Sequence, residues 1–170
     1  LSFVSALLDI ETKEKVQSYL NKLVKNFSRD PEGNDRDQVK ALVSGEGKVA
    51  IVNSYYLIKL LFSTDQKEVD VAKKVTPLFV DGVHENLTFA SIVKGAKNKD
   101  NALKFIEFLT RKDIQEKLAI ENGEFATNLK AKPSKELEKY EGYKTMKINY
   151  ETFGKNLNDA LKMMDKAGWK

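Results

Sequence analysis

A short β-branched run constrains this chain most. Lys48-Val49-Ala50-Ile51-Val52 follows the breaker Ser44-Gly45-Glu46-Gly47 and ends in Asn53-Ser54-Tyr55-Tyr56. Four successive side chains drawn only from Val, Ala and Ile suit a parallel strand covered on both faces, which reads as continuous rather than alternating. Leu57, Ile58, Leu60, Leu61 and Phe62 then open a helical pattern. The two tyrosines therefore fall where a strand hands over to a helix, the place where open α/β sheets put their ligands.

The flanking sequence supports an α/β organisation. Ser2 to Ile10 reads as a helix through Phe3, Val4, Leu7 and Leu8, and a second stripe runs on Val16, Leu20, Leu23, Val24 and Phe27 with lysines opposite. Arg29-Asp30-Pro31-Glu32-Gly33 is a loop, and Asn34-Asp35-Arg36-Asp37 is a helix start with Asn34 as N-cap. That helix carries Val39, Leu42 and Val43 inward and stops at Gly45. After the tyrosine helix come a short helical segment at 68–74 and extended segments at 75–80 and 87–93. Pro77 removes a ladder donor, so 75–80 reads as an edge strand or a passage between two bodies. A long helical region follows from Asn98, breaks near Arg111 and closes at Gly123, the expected left-handed position. Residues 124–147 read as a surface connection with a short helix near Ser134 to Tyr140, and the last helix carries Phe153, Leu157, Ala160, Leu161 and Met164. Trp169 is expected to pack against a lobe surface.

Composition narrows the function. With 41% hydrophobic and 32% charged residues, the chain is ordinary for a globular protein, and no apolar run approaches the roughly 20 residues of a membrane helix. The 29 basic and 25 acidic residues are spread through amphipathic stretches, not gathered into an aromatic-interleaved tract, which argues against nucleic acid as a partner. No cysteine is present, so disulfides, thiol catalysis and thiolate metal sites are excluded. His84 is the only histidine, which removes histidine triads and His-pair zinc sites, and its setting after a turn beside Glu85 suits a structural hydrogen bond. The phosphate-loop, dinucleotide and nucleophile-elbow signatures are all missing. Nothing in the sequence demands catalysis.

The tyrosine pair remains. Such pairs most commonly pack, their hydroxyls finding a partner. Their one distinctive chemistry is as phenolate, a hard anionic oxygen ligand suited to a hard ion such as Fe3+. Successive residues within a helix point about 100° apart, whereas at a strand-to-helix turn two side chains can converge on one ion.

The run Gly45 to Tyr56, preceded by Gly33-Asn34-Asp35-Arg36-Asp37-Gln38, resembles the periplasmic ferric-iron-binding proteins, the solute receptors of iron ABC importers. Asn98-Lys99-Asp100-Asn101-Ala102 and the ending Met164 to Lys170 match as well, so the resemblance covers essentially the whole chain. It implies a periplasmic-binding-protein-like α/β fold of two lobes joined by hinge-crossing strands. This sequence resembles the C-terminal half, with residues 1–80 in the C-terminal lobe, 81–122 in the N-terminal lobe and 123–170 returning. It implies Tyr55 and Tyr56 as iron ligands, with Asn34, Asn53 and Arg36 as candidate contacts for a synergistic anion or as neighbours of the site. The remaining ligands, one of them a tyrosine expected just upstream of Leu1, would come from the N-terminal half of the same protein. The implied function is non-catalytic capture of ferric iron and its delivery to an inner-membrane ABC permease, in the periplasm or cell envelope, with or without a lipid anchor. The alternative is a receptor of the same fold for another solute, an anion or a small organic cation. Glu124-Phe125-Ala126-Thr127-Asn128 departs from the family, which tends to have a Tyr-Pro-bearing segment there.

Overall fold

A computed structural model describes residues 1–169 of the 170-residue chain. The described residues form helices α1 (Ser2–Ile10), α2 (Lys13–Lys25), α3 (Asp35–Val43), α4 (Ser54–Leu61), α5 (Gln66–Ala72), α6 (Lys99–Leu109), α7 (Lys112–Asn122), α8 (Lys135–Glu138) and α9 (Thr152–Ala167). They fall into two compact units. One holds Leu1–Glu32, Leu78–Asn86 and the chain from Tyr143 on, and the other holds Gly33–Pro77 and Leu87–Gly142.

In the first unit α1 and α2 pack on α9. Val4, Val16, Leu20, Ala160 and Met163 form the buried cluster, flanked by Phe3, Leu7, Leu8, Met164, Ala167 and Trp169. Thr12 caps α2 by accepting a hydrogen bond from the Lys15 N–H, and Lys22 and Lys25 sit in its last turn, where the helix dipole favours cations. Trp169 meets Phe27 edge to face at 5.5 Å, the packing role expected of it. The stripe expected on α9 is shifted. Ala160 and Met163 are its buried residues, whereas Leu157 and Leu161 are 43% and 50% exposed. The α1 and α2 surfaces meet the 160/163/164/167 side of the helix, and that packing overrides the count of apolar residues along it. The segment before α9 is tied to residues 82–83. Gly82 and Val83 donate backbone N–H bonds to the Lys144 carbonyl, and Met146 donates to Val83, giving a parallel bridge between Val83 and Thr145.

In the second unit α3, α4 and α5 enclose Val39, Leu57, Leu60 and Ala72, with Val52, Leu61, Val71 and Val75 against them. Asn34 caps α3 in a reciprocal capping box. Its Oδ1 accepts from the Arg36 N–H at 2.9 Å, and the Asp37 carboxylate accepts from the Asn34 N–H at 2.8 Å. The helix α7 ends at Gly123 with φ +70°. A Cβ there would stand 2.7 Å from the Ile58 side chain and 3.4 Å from the Tyr55 carbonyl oxygen, so glycine lets the α7 terminus lie directly on α4.

One expectation is not met by this architecture. The sequence predicts an α/β chain with strands at 48–53, 75–80 and 87–93, but no strand is assigned among the described residues. A strand exists through its ladder, and these segments have no neighbouring strand to exchange hydrogen bonds with among the described residues. The run 48–52 is also not covered on both faces. Val52 packs on the core while Val49 and Ile51 are 78% and 60% exposed, the period of two of a segment with one face buried. The compact units divide after Glu32, Pro77, Asn86 and Gly142, because α1 and α2 bury their side chains with α9 while α3 to α5 build a core of their own.

Candidate metal centre

Asn53 is the N-cap of α4, so Tyr55 and Tyr56 lie in the first turn of that helix. The sequence argument required a turn for two neighbouring side chains to converge. Here both belong to the helix and still converge, their ring centroids 4.2 Å apart with the planes 33° from parallel. Leu57, Ile58 and Leu60, all buried, fix the helix against its unit and leave the two tyrosines half-buried at its start.

Two carboxylates, Asp35 and Glu124, act on Tyr55. A hydrogen bond with the Tyr56 hydroxyl, partial burial, and the charges of Asp35 and Glu124 together hold the proton on Tyr55, whose pKa is pushed up to about 12. The same surroundings favour a cation. One of high charge placed between the phenols would draw their protons off and take two oxygens as ligands. Lys59 lies 5.2 Å over the Tyr55 ring face, one turn further along α4.

Asp35 connects the site to α3. Its Oδ2 accepts the Asn53 backbone N–H at 2.7 Å and the Asn53 side-chain amide at 2.9 Å. Asn53 makes no side-chain bond to the first turn of its own helix. Asn34, Asp35 and Asn53 are thus gathered at the paired starts of α3 and α4. Arg36 lines a cavity of about 500 Å3 bounded by Ile58, Lys59, Phe62, Glu68 and the α7 terminus. Sequence reasoning read Asp35 only as part of its own helix start, and it gave Gly123 and Glu124 no place at the site. Asp35 stands 18 positions before Asn53. The capping pattern around it explains its helix without hinting at a second partner.

No group of three or more His, Asp or Glu side chains suited to a metal ion occurs among the described residues. His84 lies in the other unit. Its Nε2 stands 3.0 Å from the Asn86 Oδ1 and 3.3 Å from the Ser2 Oγ, its ring contacts Phe3 and Phe153, and burial lowers its pKa toward the neutral form. That is the structural role the sequence suggested.

The family model for bacterial extracellular solute-binding proteins matches residues 4–116. Among curated proteins, iron uptake protein A2 of Synechocystis is 34% identical over the whole chain and iron uptake protein A1 of the same organism is 33% identical over 99% of it. The chain spans 51% and 48% of their lengths, about half of each. Among solved structures, the Trichodesmium protein IdiA (FutA), in complex with iron and citrate, superposes with a TM-score of 0.94 at 33% identity, over 99% of this chain and 55% of that one. Apo FutA2 of Synechocystis gives 0.93 at 33% identity, over 99% of this chain and 56% of that one. The apo ferric-ion-binding protein A of Pasteurella haemolytica gives 0.89 at 33% identity, over 99% and 53%. A backbone with no strand assigned among the described residues thus superposes on these structures over 99% of its length, and on the family match this chain belongs to the bacterial extracellular solute-binding proteins.

Proposed function

We propose that the chain carries part of the ferric-iron site of a two-lobe receptor that hands its cargo to an ABC permease of the inner membrane. The observation that carries this reading is the convergence of two phenols in one helical turn, 4.2 Å apart, in a setting charged by Asp35 and Glu124. Relatives named for iron uptake, and a structural neighbour holding iron and citrate, support it. Tyr55 and Tyr56 supply two phenolate oxygens, and the remaining ligands come from sequence outside this chain. An anion sharing the ion would meet Asn34, Asn53 and Arg36. The receptor works outside the cytoplasm, in the periplasm or cell envelope, free or lipid-anchored, and performs no chemistry on its cargo.

We assign the extended passage at 75–80, which carries Pro77, to a hinge crossing of the receptor, as the sequence reading has it.

Titration of the complete receptor with ferric citrate tests the reading. A visible tyrosinate-to-iron band is expected, and it should largely vanish in the Tyr55→Phe, Tyr56→Phe double variant. An unchanged band would remove the tyrosines from the site. Retention of another solute with no colour on iron addition would favour a receptor of the same fold for a different ligand.

A further inference from the structure

The start of α4 is held in an unusual way. An N-cap asparagine ordinarily turns its side chain onto the free N–H groups of its own helix. Asn53 does not, and both its backbone N–H and its side-chain amide go to a single oxygen of Asp35. The preceding residues 48–52 have no ladder among the described residues to fix their direction. Asp35 is itself immobilised, as the first residue of a helix whose N-cap is locked by the Asn34–Asp37 capping box. One carboxylate therefore transmits the position of α3 to the residue two places before Tyr55.

We propose that Asp35 is the positioning residue of the tyrosine pair: by clamping Asn53 from α3 it sets where α4 begins and hence where both phenol oxygens stand. The inference rests on the reading of Tyr55 and Tyr56 as iron ligands. It assigns Asp35 no bond to the ion. Groups that orient metal ligands in this way typically change metal affinity by about 10- to 100-fold when removed.

Asp35→Asn and Asp35→Ala variants of the complete receptor, titrated with ferric citrate, separate the possibilities. Asparagine keeps an acceptor for the Asn53 N–H, and this variant should retain the wild-type band position with affinity reduced no more than about threefold, on the weaker side of a single lost hydrogen bond. Alanine removes both bonds, and its affinity should fall about 10- to 100-fold with the band displaced or weakened. Band position is the deciding signal, because a merely structural loss lowers the folded fraction and leaves the spectrum of the remaining protein unaltered. Wild-type behaviour of the alanine variant would overturn the proposal. Equal damage in both variants would overturn it too, pointing to charge or direct ligation. If the alanine variant does not fold, Asp35→Glu replaces it, keeping the charge and moving the oxygens by one methylene. A displaced band supports positioning and an unmoved one refutes it. The double phenylalanine variant runs alongside, since a band that survives there rejects the iron reading whatever Asp35 does.

Discussion

Glu85 shows how much a single carboxylate organises outside the candidate site. Its two oxygens accept from the Tyr150 hydroxyl at 2.7 Å and the Tyr143 hydroxyl at 3.4 Å. Burial and the adjacent carboxylate push both phenols up to about 12. Their ordinary value is near 10, so between about pH 10 and pH 12 the folded chain holds protons that the unfolded chain has released. With more protons bound in the native state, stability is fully present below about pH 10 and falls as pH rises toward 12. Urea melts recorded at pH 9, 10 and 11 should show this decline, and Tyr150→Phe should make it shallower by removing one of the groups, Tyr55 among them, whose pKa is raised. A decline of the same steepness in that variant would mean that Tyr150 titrates as freely folded as unfolded. Asn34 offers a second residue-level test. Loss of its cap in Asn34→Ala should cost about 1 kcal/mol in a denaturant melt.

Helices were legible in the sequence to the extent that local chemistry sets them. The cap at Asn34, the left-handed Gly123 and the α1 and α2 stripes all follow from side chains a few residues apart. The phase of α9 was not legible, because its sequence offers two apolar sides and only the packing partner chooses between them. Asp is therefore expected to be far more damaging at Met163, on the buried side, than at Leu161, which is half exposed. Thermal melts should place Met163→Asp lower by several kcal/mol and Leu161→Asp within about 0.5 kcal/mol of the parent. The reverse order would restore the stripe read from sequence. At the candidate site the tyrosines were visible as a motif, while their support from Asp35 and from the α7 terminus was hidden by chain separation. Gly123→Ala probes that support. The left-handed backbone and the 2.7 Å approach to Ile58 together predict a loss of about 2 to 4 kcal/mol, with α4 displaced. Normal stability in this variant would show that the α7 terminus does not press on α4.

At the scale of the whole molecule, the absence of strands and the exposure of apolar side chains have one explanation. Val49, Ile51, Leu78, Val80, Phe89 and Val93 lie in extended segments that the sequence marks as strands, and all are exposed. The helix α6 likewise buries none of its residues and leaves Leu103, Phe105 and Phe108 open. Exposed large apolar side chains on these segments and on α6 fit surface that another body covers. The curated relatives that the chain matches are about twice as long, and we propose that segments corresponding to the rest of their length are the cover. Strand ladders and the cover for Val49 and Ile51 would then form together, since both come from the same neighbouring segments. The prediction reverses sign between two contexts. In the 170-residue chain alone, Val49→Thr with Ile51→Thr should lower the binding of an apolar dye and reduce aggregation, because it makes an exposed face polar. In the complete receptor the same substitutions should lower stability by about 1 to 3 kcal/mol, because each places a hydroxyl in a covered site. Dye titration of the first and denaturant melts of the second measure the two effects. A complete receptor indifferent to the pair would show that the run before the tyrosines stays open to solvent there as well, and the strand read from its sequence would then have no place in the fold.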